Sequence, residues 1–216
     1  MHFVITAGPT IEPLDQVRRL TNFSTGRLGT ELASHMAQRG HRVTLLLSQQ
    51  SAHRPPPSGV EVVPFTTTTS LQEELVNASK LKTDAVFHAA AVCDFTFGEI
   101  HRRNERGELV PVRGGKISTR GGRLLAELVP TPKLIVGLRD LYPDSCLVGW
   151  KYEVEGDRST VFAAAEAQIR ECRTSACVVN GPAYGKGFGL VFEGGPHMHV
   201  PDAQALFDKL LQKISG

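Results

Sequence analysis

Ser24, Thr25 and Gly26 follow one another between a polar stretch and the first helical pattern of the chain. Residues of this kind at a helix start suit anion binding. The first N–H groups of a helix have no partner within it, and its dipole places positive charge there. Gly26 and Gly29 let backbone and phosphate come close. Ser24 and Thr25 fit a plain N-cap equally well, and that alternative stays open. Upstream, Gly8 ends an apolar run, and the Pro9 after it lacks an N–H to offer a phosphate. Two familiar phosphate loops are missing. No G-x-G-x-x-G lies near Gly8, and "GPAYGKGFG" has the wrong spacing for G-x-x-x-x-G-K-[ST]. Tyr142, Tyr152 and Tyr184 are not followed by Lys at the fourth position, so the Tyr/Lys pair of a short-chain dehydrogenase is missing too.

The elements that must position this segment alternate. Apolar runs at 2–8, 41–48, 60–65, 84–92, 146–153 and 176–181 read as strands. Helical periods cover 28–39, a stretch from Leu71 to Leu81 begun by Ser70, 132–141, 159–173, and a last helix from Asp202. Residues 51–59 read as a Pro-rich surface loop and 188–200 as a hairpin. The alternation breaks over Phe95–Leu125, rich in Gly, Arg and charge, which reads as a flap or hairpin outside the core. Continuous apolar strands alternating with helices predict an α/β, Rossmann-like three-layer sandwich with a mainly parallel sheet. One domain over 1–216 is expected, with 96–125 as its excursion. Ligands bind beyond the carboxyl ends of such strands, so the loops after Ala7, Ala90, Glu153 and Asn180 are where chemistry is expected.

Composition narrows the function classes. A net charge of +2 with no long charged block gives no reason to expect nucleic acid or a membrane surface. No apolar run reaches the roughly 18 residues of a spanning helix, and "MHFVITAG" lacks the marks of a signal peptide. A cytoplasmic protein is expected. Cys93, Cys146, Cys172 and Cys177 have no C-x-x-C spacing and read as free thiols. His197 and His199, on one face of a strand, read as part of a solvated hairpin sooner than as metal ligands.

Five blocks carry a family resemblance. "ITAGPTIEPLDQVRRLTNFSTGRLG" (5–29) closely resembles the opening of phosphopantothenoylcysteine synthetases, "ITAGGT-EPID-VR-ISN-SSGKMG", without a gap. "AAAVCDF" (89–95) resembles that family's "AAVADY", and "GKIST…LVPTPKLI" (115–135) its "KI…NPDI" segment. "VGWKYE" (148–153) and "VVN" (178–180) are weaker matches to "VGFAAE" and "CAN". The resemblance implies a ligase of coenzyme A biosynthesis. It would join 4′-phosphopantothenate to cysteine through an acyl-nucleotide intermediate, releasing pyrophosphate. CTP or ATP would be the co-substrate, with Mg²⁺ and no flavin, in a homodimer.

The same resemblance implies residue roles. Asn22 would hold the acyl-nucleotide, and Lys116, on a mobile flap, would neutralise charge at the α-phosphate. Gly8, Thr10, Ser24, Thr25 and Gly26 would cradle phosphates. Asp94 would hold Mg²⁺ or a ribose hydroxyl; Ala89 and Ala90 would let the nucleotide lie against backbone. Pro132, Lys133, Leu134 and Ile135 would contact the nucleotide, and Trp150 would stack beside its base. Arg18 and Asn180 would face substrate. One departure bears on CTP: Gln168 and Cys172 stand near positions where many members carry base-reading lysines. Arg102, Arg103, Arg106 and Arg113 make the flap basic, suited to a substrate phosphate or simply solvated. The other function classes are an NAD(P)-dependent oxidoreductase and a nucleotide-binding homologue without catalysis.

Overall fold

The computed structural model describes residues 1–54, 59–118, 120 and 122–215. The Pro-rich part of the 51–59 loop, residues 55–58, lies outside the described residues, as does Thr119 of the "GKIST" block.

Thirteen strands and five helices follow one another among these residues: β1 (His2–Ala7), β2 (Ile11–Pro13), β3 (Arg19–Thr21), α1 (Arg27–Gln38), β4 (Arg42–Ser48), β5 (Val60–Phe65), α2 (Thr68–Ala78), β6 (Ala85–His88), β7 (Phe95–Arg103), β8 (Leu109–Pro111), β9 (Leu124–Pro130), α3 (Leu134–Leu141), β10 (Cys146–Tyr152), α4 (Arg158–Cys172), β11 (Ala176–Asn180), β12 (Phe188–Phe192), β13 (Met198–Val200) and α5 (Ala203–Ser215). Eight strands form the main sheet in the order β13-β12-β11-β10-β6-β1-β4-β5. The six from β5 to β11 pair in parallel, while β12 and β13 add an antiparallel hairpin at one edge.

The strands are apolar throughout because both faces are covered. On one face Phe3, Ile5, Leu45, Phe87, Val148 and Val178 pack with Leu32 and Met36 of α1 and Leu206 and Phe207 of α5. On the other, Val4, Leu46, Val86 and Leu147 meet Leu71 and Leu75 of α2 and Leu134 and Leu138 of α3. Alongside, α4 sets Val161, Ala165 and Ile169 on Cys177, Val179 and Val191. The three-layer α/β expectation is borne out.

Chain order reverses between β1 and β6. After β1 the chain builds β4 and β5 on one side, then crosses to β6, β10 and β11 on the other. This switch point, at the carboxyl ends of β1 and β6, is where a ligand crevice is expected in such sheets.

Several local expectations are corrected. The polar stretch after β1 contains a small hairpin, β2 with β3. Helix α2 starts at Thr68, capped by the Thr67 side chain, which accepts the Ser70 N–H. Ser70 lies inside the first turn and does not begin the helix. The 84–92 run stops being a strand at His88, where the chain turns toward Pro9 through an isolated Pro9–Ala91 bridge. The excursion is a three-stranded antiparallel sheet, β8-β7-β9, that runs on to Pro130. His197 lies outside β13, stacked on Phe162 at 4.3 Å and bonded to Glu166 at 2.8 Å. His199 instead bonds the Tyr184 hydroxyl. The two histidines have different partners. Among the described residues no three His, Cys, Asp or Glu side chains gather as a metal site, and no helix is long and apolar enough to cross a membrane.

Candidate active site

A cleft of about 1300 Å³ opens at the carboxyl ends of the parallel strands. Its walls come from Asn22–Gly29 before and within α1, His88–Asp94 after β6, Thr131–Val136 at the start of α3, Trp150–Glu153 at the end of β10, one side of α4, and Asn180. Two helix N-termini, those of α1 and α3, therefore face one space.

The start of α1 is built for close approach. Gly26 is its N-cap, with φ of 76° and no side-chain cap bond. The N-cap reading of Ser24 and Thr25 is thereby corrected: their hydroxyls reach the Gly26 and Arg27 N–H groups only at 3.4 Å each. A Cβ on Gly26 would stand 2.3 Å from Ser51 Oγ. At Gly29 it would stand 2.7 Å from Ala7 Cβ, so α1 can lie against the end of β1 only with glycine there. The loop is fixed from behind. The Thr25 carbonyl accepts the Ala52 N–H at 3.1 Å and the Ser51 hydroxyl at 3.0 Å. The Leu28 and Gly29 N–H groups have no partner among the described residues, so first-turn donors of α1 remain available to a ligand.

Helix α3 presents a second such end. Lys133 is its N-cap, again without a side-chain cap bond. Pro132 precedes the cap and lies outside the helix, not in its first turn. Leu134 is buried in the core, while Ile135 packs over Gly149.

The floor and rim are tied together by the loop after β6. The Thr10 hydroxyl accepts the Cys93 N–H at 2.8 Å, and the Thr10 N–H donates to the Ala91 carbonyl at 3.1 Å. Asn22 donates to that same carbonyl at 3.0 Å, and its amide oxygen has no partner among the described residues. Asp94 is exposed on the rim, and its carboxylate has no partner among the described residues. Burial raises the Cys93 thiol above its ordinary range and pushes Cys177 up to about 12. Neither is a thiolate near neutrality. All four cysteines are free thiols, as expected.

Asn22, Ser24, Thr25, Gly26, Ala89, Ala90, Asp94, Pro132, Lys133, Leu134, Ile135, Trp150 and Asn180 thus gather at one cleft. Four expected site residues do not line it. Thr10 is wholly buried beneath the floor. Gly8 lies behind Gly26, its Cα 3.3 Å from where a Gly26 Cβ would be. Arg18 is engaged elsewhere: its guanidinium grips Asp15 and donates to the Ile117 carbonyl at 2.6 Å. Anchoring of the loop is what Arg18 does in this structure. Lys116 is exposed on the excursion, away from the cleft lining.

The Lys116 loop is nevertheless held in place. The Asp15 carboxylate accepts the Ile117 N–H at 3.1 Å, and the Gln16 N–H donates to the Gly115 carbonyl at 2.9 Å. Both neighbours of Lys116 are therefore fixed to the turn between β2 and β3, while its ammonium stays free among the described residues. Nothing in the spacing of 14–18 signals this long-range clasp.

Charge in the cleft is nearly balanced. Its lining holds Arg27, Lys133 and Lys151 against Glu31, Asp94, Glu153 and Glu171. Arg27 pairs with Glu31 at 2.7 Å and Lys151 with Glu153 at 3.8 Å. A ligand of several negative charges finds backbone N–H groups here, but little surplus side-chain charge.

Comparison with known proteins places this architecture. The chain is 33% identical over 179 residues to the coenzyme A biosynthesis bifunctional protein CoaBC of Thermococcus kodakarensis, covering 82% of this chain and 40% of that protein. To the Bacillus subtilis protein of the same name it is 31% identical, covering 100% of this chain and 51% of the relative. The chain thus spans about half, or less, of the curated relatives it matches. The crystal structure of the DNA/pantothenate metabolism flavoprotein from Streptococcus pneumoniae superposes with a TM-score of 0.86 at 22% identity, covering 100% of this chain and 98% of that one. That likeness shows the fold. Residues 1–193 match the model of the DNA/pantothenate metabolism flavoprotein C-terminal domain, and the chain belongs to that family.

Proposed function

We propose that this chain is a phosphopantothenate–cysteine ligase that activates a carboxylate with CTP or ATP. The observation that carries the reading is the convergence of two helix N-termini, from α1 and α3, on one cleft rimmed by Asn22 and Asp94. Membership of the family and the coenzyme A biosynthesis names of the relatives support it.

In the first step a carboxylate oxygen of phosphopantothenate attacks the α-phosphorus and pyrophosphate leaves. In the second the cysteine amine attacks the acyl carbon, the nucleoside monophosphate leaves, and the amine loses its proton. The α1 N-terminus holds phosphate oxygens, and Ala89 and Ala90 leave room for the nucleotide against the backbone. Asn22 can donate an amide N–H toward the activated carbonyl, without competing as a nucleophile, once its amide turns from the Ala91 carbonyl. Asn180 and Trp150, both in the cleft lining, are the candidates for the substrate and nucleoside ends respectively.

The near-balanced charge of the cleft means that cations must come with the ligand or from outside the lining. Asp94 offers one carboxylate, which suits Mg²⁺ carried on phosphates rather than held in a protein cage. That ion would neutralise charge on the departing pyrophosphate. Lys116 supplies the second cation once the excursion meets the cleft. The excursion exposes Leu109, Val110, Leu125, Leu128 and Val129, an apolar surface suited to a second copy in a homodimer. Its arginines 102, 103, 106 and 113 are candidates for the phosphate of phosphopantothenate.

The test supplies phosphopantothenate, cysteine, Mg²⁺ and either CTP or ATP, and follows pyrophosphate and amide product. Cysteine-dependent amide with stoichiometric pyrophosphate is expected, and the two nucleotides rank the base preference. Pyrophosphate without amide would mean another amine acceptor, and neither product would overturn the reading. Sedimentation of the purified chain tests the dimer.

A further inference from the structure

His88 is not among the residues to which the ligase reading gives a part. It ends β6 and lines the cleft, yet is only 7% exposed. Its Nδ1 lies 3.1 Å from the Thr6 hydroxyl. That hydroxyl already accepts the Ala90 N–H at 3.0 Å, and Thr6 is fully buried. Among the described residues the hydroxyl proton has one acceptor within hydrogen-bond distance, His88 Nδ1. The imidazole is therefore fixed with its proton on Nε2. Nε2 has no partner among the described residues.

The surroundings say what this donor suits. Gly149 pairs with His88 on the adjoining strand, so both lie on the face toward α3 and α4. A Cβ at Gly149 would stand 2.1 Å from Gln168 Nε2 and 2.8 Å from Ile135 Cδ1. The Gln168 amide therefore lies over Gly149, one strand spacing from the imidazole, with one N–H directed to Cys177 Sγ at 3.2 Å. Apolar Val86, Leu147 and Leu134 pack on the same face. Burial lowers the His88 pKa to about 4, so the ring stays neutral at physiological pH. A neutral donor in such a wall matches a neutral acceptor, an oxygen or ring nitrogen. Phosphate oxygens find their partners elsewhere, at the α1 N-terminus.

We infer that His88 is a positioning residue whose Nε2–H, held by the Thr6 hydroxyl, hydrogen-bonds a neutral acceptor on the nucleoside part of the bound nucleotide. The inference rests on the ligase reading only in requiring a nucleotide in this cleft. Thr6 and His88 act as a relay: the threonine sets the tautomer and the histidine presents the donor.

The test has two independent arms, and neither needs turnover. In the wild-type chain, ¹⁵N imidazole spectra are expected to show His88 as the Nε2–H tautomer, with that proton shifted downfield by CTP or ATP and unmoved by tripolyphosphate. By titration calorimetry, His88→Phe is expected to weaken the preferred nucleotide about three- to tenfold, on the scale of one neutral hydrogen bond. Tripolyphosphate affinity is expected to stay unchanged, and His88→Gln, which keeps a donor, to recover part of the loss. An Nδ1–H tautomer, or an Nε2–H signal indifferent to nucleotide, overturns the inference even if His88→Phe fails to fold. Equal weakening of nucleotide and tripolyphosphate overturns it as well, since the donor would then serve phosphate. If nucleotide binds but the amide is never formed, the ligase reading fails while His88 keeps its role. If no nucleotide binds, both fall together.

Discussion

The cleft floor and the excursion are built on opposite principles. The floor is finished within the chain: the Thr6 hydroxyl accepts the Ala90 N–H, Thr10 bonds Ala91 and Cys93, and apolar side chains back them on both faces. The excursion has little core of its own. Along β9 every residue but the first is exposed, and its Lys116 loop is held by Asp15, Gln16 and Arg18 on another hairpin, with one bond from Arg102 to the Ser118 carbonyl at 2.8 Å. On the proposed reading the floor carries stability and the excursion carries chemistry, so damage to one is expected to leave the other's property intact. A rigid floor preserves the cleft's shape, while an arm that adds charge from outside the lining needs only to be aimed.

The sharpest break is expected at Lys116. Lys116→Ala removes an exposed side chain with no partner among the described residues, so the melting temperature is expected to stay put. Turnover is expected to fall by about 100-fold or more, the scale of one lost transition-state donor at roughly 3 kcal/mol. Steady-state kinetics beside thermal unfolding check both halves, and full turnover would return Lys116 to the solvent. Leu138→Ala makes the opposite cut. Leu138 is 1% exposed between α3 and the sheet, and its loss is expected to cost about 2–5 kcal/mol in urea unfolding. The kcat of the fraction still folded is expected to change far less. Gly29→Ala ranks next. Its Cβ would meet Ala7 at 2.7 Å, and overpacking of this kind costs about 1–3 kcal/mol. That variant strikes where floor and phosphate loop join, so nucleotide affinity is expected to drop along with stability.

The two regions also differed in how far their sequences could be read. The parallel sheet was legible because apolar runs such as "HRVTLLLS" and "ACVVNG", punctuated by helices, have few other folds open to them. The cleft was legible because strand ends in such sheets meet at one edge, and most residues of the 5–29 and 89–95 blocks do line it. Cap residues were less so. Ser24, Thr25 and Ser70 are all good caps by type, but backbone geometry placed the caps at Gly26 and Thr67. Thr10 could not be separated from its neighbours in "AGPT", since burial beneath the floor depends on the return of the chain at Ala91. Pairing across a hundred residues, as between Asp15 and Ile117, leaves no local period at all. His88 escaped for a related reason. A donor role for a histidine at a strand end depends on Thr6, eighty-two residues earlier, which bonds its Nδ1.

The smallest effect expected concerns the clasp itself, and it separates aiming from anchoring. The Arg18 guanidinium beside Asp15 holds its carboxyl well below the usual carboxylate range, helped by the N–H groups of Ile117, Val17 and Arg18. A depressed carboxyl stabilises fully above the pKa of the unfolded chain, about 4, and the contribution fades only as pH falls through the lower folded value. Between pH 7 and pH 5 the clasp is therefore expected to be unchanged. Hydrogen exchange at the Ile117 amide, corrected for intrinsic rate, is expected to give the same protection at both. Asp15→Asn is expected to lower that protection at both pH values and to leave the global unfolding midpoint nearly where it was. Turnover is expected to fall modestly while KM for nucleotide stays fixed, because the floor that binds it is untouched. A wild-type amide losing protection between pH 7 and pH 5 would show that Asp15 does not hold the loop. A large rise in nucleotide KM for Asp15→Asn would show instead that clasp and cleft are one unit, and the division between floor and excursion would fail.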